Sequence, residues 1–462
     1  MEIGTSIIAA SLSELTSAIE SYRLEQIKLQ QNPEAQVKQL SEAEKETAIQ
    51  NLQHPSLLQQ TIEDLQQTGI QGEAENALIL LLAMSSRKCY DPLSVICLAK
   101  SGAGKSYLME KVANCIPDED KREHAQFSGN SFYYYKREEI RGKVSLIEDL
   151  NGAQEVLFPI RELQTKKRIS KTVTLKDKSG QLRTVTLIVE GPVSVIGCTT
   201  REKVYEDNAN SAILIYLDSS KEQDERIMHY QKQYRAGLID SHKEKQLQNK
   251  LQDMQRMLQP AKVINPYAPL IELPKEVFKP RRTLPLLLSF IEAITFYQQY
   301  QREHKAEEHT GEIYIETTPE DIQWAFTLLK NVLFRKSDEL SGAAREFYEW
   351  LESWNSQTQQ KQFYASDIRK TNRIHPRTLN RYLQELAEYG LLQIAGGNKH
   401  RTGYAYKINA SKSFQQLQSS IEQQIKQVLE SVEKASEERQ TAIKKVKAKK
   451  PVSQQLDSIN AD

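Results

Sequence analysis

The chain has 462 residues, 39% hydrophobic and 27% charged, with a formal net charge of +1. That length allows about two to four soluble domains, and the near-neutral balance excludes a global electrostatic pull on nucleic acid or membrane, so any basic footprint is local. Cys89, Cys97, Cys115 and Cys198 form no C-x-x-C pair and have no zinc spacing, and the longest apolar run, Ala77 to Met84, is too short to span a bilayer, so a reduced, cytoplasmic, non-membrane setting is expected.

Residues 1–70 read as a helical N-terminal region: Leu12, Leu15, Ile19 and Leu24 recur at near-helical spacing, with breaks at Pro33 and Pro55. A helix follows through Glu73 to Ser86. From Leu93 the texture changes to short apolar runs. Leu93 to Leu98, Lys143 to Leu150, Val193 to Thr199 and Ala212 to Leu217 predict buried strands, and Tyr107 to Cys115 predicts a helix. Strands alternating with helices imply an α/β fold with a largely parallel sheet. Thr172 to Lys176 and Leu182 to Val189 predict a hairpin around Asp177-Lys178-Ser179-Gly180.

The first apolar run leads into Ser101-Gly102-Ala103-Gly104-Lys105-Ser106 and then the helix that contains Tyr107. A tight glycine loop before a helix aims backbone N–H groups at phosphate oxygens, and the helix N-terminus adds positive potential. Lys105 would reach the β- and γ-phosphates of ATP, and the Ser106 hydroxyl would ligate Mg²⁺. Ala99 stands where the first glycine of the motif belongs; its methyl is tolerable if φ there is negative. Glu148 and Asp149 close the second strand, where a carboxylate holds the metal's water and its neighbour orients the attacking water. Thr199 ends the next strand and would sense the γ-phosphate. Arg281 and Arg282, before the helix at Leu284, would contact phosphate or cap a basic linker; the residues favour neither.

Lys166, Lys167, Arg168, Lys171, Lys176, Lys178 and Arg183 gather on the hairpin and its approach, opposed only by Glu162 and Asp177. Such a ribbon could grip phosphates without reading sequence, although a charge run is more often a solvated face. Residues 341–408 predict a winged helix: an amphipathic first helix, a short second helix capped by Ser366, a third from Pro376 to Tyr389 ended by Gly390, and two strands around Gly396-Gly397. Arg373, Arg377, Asn380 and Arg381 would face duplex DNA, with Lys399 and Arg401 on the wing. Residues 409–462 read as a polar helical tail with a basic end. Tyr133-Tyr134-Tyr135 read as aromatics packed against the sheet.

The order of phosphate loop, acidic strand, hairpin, sensor strand and helices resembles the AAA+ superfamily. The hairpin between acidic and sensor strands resembles the minichromosome-maintenance and superfamily 3 helicase branch. Glu148 to Ala153, Arg161 to Lys166 and Tyr205 to Asn210 are similar to stretches in ATPase modules of bacterial mobile-element, primase-associated replication proteins. The resemblance implies an AAA+ core at 71–245, a helical lid and linker at 246–340, a homo-oligomeric ring (a hexamer being one size), and a separately encoded primase as partner. It also implies an arginine after Asn208-Ala209-Asn210 that reaches the neighbouring subunit's site; Ser211 stands there, so Arg201 or Arg226 substitutes or hydrolysis is slow. Three functions compete: an ATP-driven DNA helicase or translocase of a mobile element, an ATP-switched adaptor or initiator that recruits a replicase or transposase, and a winged-helix regulator with a vestigial nucleotide site.

Overall fold

A computed structural model describes residues 37–124, 130–150, 154–176, 182–200, 212–275, 277, 280–307, 309–336, 342–372, 374–388, 390–398, 403–409 and 414–449, with a few positions between 15 and 22. The expected positions Lys178, Arg201, Ser211, Arg373, Lys399 and Arg401, and the segment Tyr205 to Asn210, lie outside the described residues.

Three helices come first: α1 (Glu42–Leu52), α2 (Leu57–Gln67) and α3 (Ala74–Ser85). The first starts on a capping box, in which Ser41 Oγ accepts from the Glu44 N–H and the Glu44 carboxylate accepts from the Ser41 N–H. Almost every residue of α3 is buried, as expected of a helix that is apolar all round. The central sheet follows, built from β1 (Val95–Leu98), β2 (Lys121–His124), β3 (Val144–Ile147), β6 (Ser194–Thr199) and β7 (Ile213–Tyr216), all parallel in the order β2-β3-β6-β1-β7. Between these strands lie α4 (Lys105–Ala113), α5 (Gln154–Lys166) and the ribbon of β4 (Arg168–Lys176) and β5 (Leu182–Glu190).

The inner strands β1, β3 and β6 are buried on both faces, the pattern of a sheet covered by helices. Val95, Cys97, Val144, Leu146, Ile196, Cys198, Ile213 and Ile215 pack into a large core with α1 to α4. Their alternates Ile96, Leu98, Ile147 and Val195 join a second core with Leu150, Ile160, Leu163 and the ribbon residues Ile169 and Val189. Helices α1 and α2 and Ile70 therefore share a core with the sheet. The edge strand β2, Lys-Arg-Glu-His, has no apolar alternation, so its sequence gave no strand signal. The sequence reading likewise missed α5, whose Pro159 removes one ladder donor in mid-helix. Tyr133 and Tyr135 pack against the second core while Tyr134 is exposed.

Helices α6 (Lys221–Arg235), α7 (Ser241–Met257), α8 (Pro280–Tyr297) and α9 (Pro319–Lys336) come next, with a small sheet of β8 (Lys262–Ile264), β9 (Lys305–Ala306) and β10 (Ile313–Glu316). Arg281 and Arg282 lie in the first turn of α8 rather than before the helix. A C-terminal unit follows: α10 (Gly342–Thr358), β11 (Phe363–Tyr364), α11 (Ala365–Thr371), α12 (Pro376–Glu388), β12 (Leu392–Asn398) and β13 (Gly403–Ile408), with strand order β11-β13-β12. Its own core gathers Phe347, Tyr348, Leu351, Trp354, Leu379, Leu383 and Leu386. The second helix is not capped by Ser366, which lies inside it. Tyr364 is the cap position, and its N–H donates to the Asp367 carboxylate.

The last helix, α13 (Phe414–Lys449), is more than a polar tail. Ile421, Ile425, Val428 and Val432 repeat at helical spacing and enter the large core, and Arg439 pairs with Glu316 at 2.9 Å. The C-terminal unit is thus an insert between α9 and α13, two helices that belong to the main body. No helix among the described residues is long and apolar enough to cross a membrane.

Candidate nucleotide site

The C-terminal edge of a parallel sheet is where α/β folds place ligands, because strand ends and helix N-termini converge there. The phosphate loop joins β1 to α4 at that edge. Gly102 and Gly104 adopt φ of +84° and +86°, a left-handed backbone that a side chain disfavours. A Cβ built on either would meet nothing within 4 Å, so the glycines are required for conformation and not for space. Ala99 is not among the positive-φ residues, which is the condition under which alanine can replace the motif's first glycine.

Lys105 folds back over the loop. Its Nζ donates to the carbonyls of Ala99 at 2.9 Å and Lys100 at 2.7 Å. These acceptors hold the ammonium over the loop, and a phosphate would offer it a charged acceptor in their place. Ser101, Gly102 and Ser106 are exposed at the same edge, with Ala103 beside them half-buried. Tyr107 points away from the loop: its hydroxyl donates to the Gly69 carbonyl at 3.1 Å, and Lys111 lies over its ring and pairs with Glu244. It ties α4 to the segment entering α3.

The register brings the other expected residues to this edge. Leu98 is level with Thr199, and Ile147 with Gly197, so Glu148 and Asp149 leave β3 beside the end of β6. Strand β6 is wedged between the loop strand and the acidic strand, which puts two strand spacings, roughly 10 Å, between loop and carboxylates. Gly197 makes a close approach possible: a Cβ there would sit 2.6 Å from the Leu150 side chain, so Leu150 packs directly on β6 and anchors the turn that carries Glu148 and Asp149. Both carboxylates are exposed and Thr199 is buried. Among the described residues no group of three or more His, Cys, Asp or Glu could hold a metal alone. The set present, one hydroxyl at Ser106 and two carboxylates facing a phosphate loop, suits Mg²⁺, which is held through a few protein oxygens together with substrate phosphates and water.

His124 ends β2 next to Ile147, a neighbour of the acidic turn that sequence reasoning overlooked. Burial, with help from Arg122, pushes its pKa down to about 4, and it lies against Phe132 and Tyr135. It is a neutral wall residue at neutral pH. Arg281 and Arg282 are exposed and form no ion pair among the described residues; the structure does not join them to the loop.

The basic ribbon emerges between the acidic strand and the sensor strand. Its cations differ in their engagement. Lys167, at φ +56°, pairs with Asp91, donates to the Tyr90 carbonyl at 2.8 Å and lies 3.3 Å from the Tyr90 ring centroid. Lys166 pairs with Glu162 at 2.5 Å yet stays exposed. Lys171 donates to Asn130 at 2.6 Å. Arg168 is exposed and faces Glu190 across the ribbon, whose carboxylate is held by Arg137 at 2.6 Å. On α12, Arg377, Asn380 and Arg381 are exposed opposite the buried Leu379, Leu383 and Leu386.

No curated protein matches the chain. Over residues 41–259 it matches the family model described as the MTBMA_p00010 P-loop domain; this stretch includes α1 and α2, and with its glycine loop and parallel sheet it is similar to nucleotide-binding P-loop NTPase domains.

Proposed function

We propose that the chain is an ATP-dependent DNA helicase or translocase that acts as a homo-oligomeric ring in the replication of a mobile element. The observation that carries this reading is the placement of the ribbon. It leaves the sheet after the strand that ends in Glu148-Asp149 and returns into the strand that ends in Thr199. The ribbon is joined to the acidic turn through α5 and to β6 at its first residue, Ser194, so α5 and β6 would pass any shift at the site on to the ribbon. Exposed cations at Lys166 and Arg168 would hold single-stranded phosphates. The C-terminal unit has the order of a winged helix, with α12 as the third helix for duplex DNA and Pro376 at its first turn. Residues 246–340, with most of α7 and all of α8 and α9, would form the lid and linker. In the nucleotide site Lys105 would bind the β- and γ-phosphates, Ser106 and the carboxylates would hold Mg²⁺, and one of Glu148 and Asp149 would orient water.

ATP turnover measured with and without single-stranded DNA, alongside strand displacement on defined forks, tests this. Stimulation with displacement supports the motor. A second reading, an ATP-switched adaptor or initiator with slow hydrolysis, is favoured by the contact between phosphate loop and C-terminal unit described next. It predicts nucleotide-dependent duplex binding with no stimulation and no displacement.

A further inference from the structure

The phosphate loop has two lysines, and both are engaged within the chain. Lys105 rests on loop carbonyls. Lys100, an exposed residue of the same loop, donates to Glu346 Oε2 at 2.8 Å across 246 positions of sequence. Glu346 lies on the first turns of α10, the first helix of the C-terminal unit. Its neighbour Phe347 stacks on Tyr382 of α12 at 5.4 Å, and Tyr382 is near enough to Lys100 to help raise its pKa, an effect led by the Glu346 hydrogen bond. Lys100 therefore sits where α10 and α12 meet. A cavity of about 520 Å³ is lined by Glu73, Asn76 and Tyr216 of the main body and by Arg345 and Glu349 of α10. The docking of the unit on the nucleotide edge is polar and partly open.

Resting on the nucleotide reading above, we propose that Glu346 is a built-in competitor for the phosphate loop: it docks the C-terminal unit on the loop through Lys100, and a bound triphosphate competes with it and biases α12 toward release. A carboxylate and a triphosphate near the same loop repel one another and compete for the same cation. Charge balance favours one or the other on Lys100, so binding of nucleotide and docking of the unit are antagonistic, and by linkage each weakens the other by the same factor. An exposed pair of this kind contributes little, so the antagonism is a few-fold bias.

Zero-length carbodiimide coupling, which joins an amine and a carboxylate in direct contact, tests the contact in the full chain. The Lys100–Glu346 product, mapped by mass spectrometry, is expected without nucleotide and several-fold reduced with Mg-ATPγS. Glu346→Gln is expected to bind Mg-ATPγS about 2–5-fold more tightly, the scale of an exposed ion pair, and Glu346→Lys more tightly still. Coupling that is equal with and without Mg-ATPγS overturns the proposal, as does unchanged affinity in both variants. If the wild-type chain fails to bind Mg-ATPγS, the nucleotide reading itself falls, and that result is distinct from binding without antagonism.

Discussion

The phosphate loop and the ribbon base both carry lysines, yet those lysines do different work. In the loop, Lys105 sits on two neutral carbonyls of its own turn. Those are weak acceptors, and a phosphate displaces them at small cost. At the ribbon base, Lys167 is fixed by a carboxylate, a carbonyl and an aromatic face together. Removing that side chain takes away an anchor for the ribbon before it takes away a grip on DNA. A cation counts as a ligand site only if its present partners are easily exchanged.

The strongest way to break this comparison is Lys105→Ala. Nucleotide-dependent turnover is expected to fall by at least about 100-fold, the scale of one lost preorganised donor, while thermal unfolding stays unchanged because the lost partners are exposed-loop carbonyls. Retained turnover would remove the distinction between the two lysines. Next in size, Lys167→Ala is expected to destabilise the fold by about 1 kcal/mol, from the lost cation–π contact and the unpaired Asp91. Chemical denaturation checks it; a loss of DNA affinity with unaltered stability would reverse the assignment.

Asp91, the partner of Lys167, also has a neighbour on α8 that offers a pH test. Burial, with a contribution from Asp91, pushes the Glu292 pKa up from 4.5 to about 7. The groups near it are Asp91 and Cys89, and burial with Glu292's influence raises that thiol as well. A raised acid stabilises the fold fully below its unfolded value of 4.5, and this contribution is lost as pH rises through about 7. Glu292→Gln should therefore match wild type near pH 4 and exceed it by on the order of 1 kcal/mol above pH 7. Parallel stability curves would show that Glu292 is solvated. The smallest expected effect is Arg168→Ala, which should leave unfolding unaltered and reduce the salt dependence of single-stranded DNA binding by a slope of about 0.7, one phosphate contact. An unchanged slope would leave Arg168 as a partner of Glu190 only.

The parts of the fold that local chemistry dictates were readable. Short apolar runs marked β1, β3, β6 and β7, and the glycine spacing marked the phosphate loop, because positive φ and a following helix are demanded by a few adjacent residues. The parts that depend on distant partners were not. The edge strand β2 is polar and has no buried residue, so no apolar alternation marks it. The stripe Ile421, Ile425, Val428 and Val432 is diluted by Gln and Glu on the rest of α13, so a buried helix read as a tail. The pairing of Lys167 with Asp91 spans 76 positions, and that of Lys100 with Glu346 spans 246; neither leaves a trace in sequence spacing. Thr199 and the acidic pair could be placed at one edge only once the strand order was known.

The insertion of the C-terminal unit between α9 and α13 also bears on how the chain is made. The main body needs Ile421 to Val432 to complete its core, but those residues come after the whole insert. During synthesis at about 5–20 residues per second, the body waits with an open apolar seam along α9 while the insert is translated and folds. The insert has its own core and can form during that wait. Once it does, its compact ends shorten the effective loop that α13 must close, so the early unit acts as a splint for the last helix. Truncation between Ile408 and Ile421 should leave a folded insert on an unfinished body.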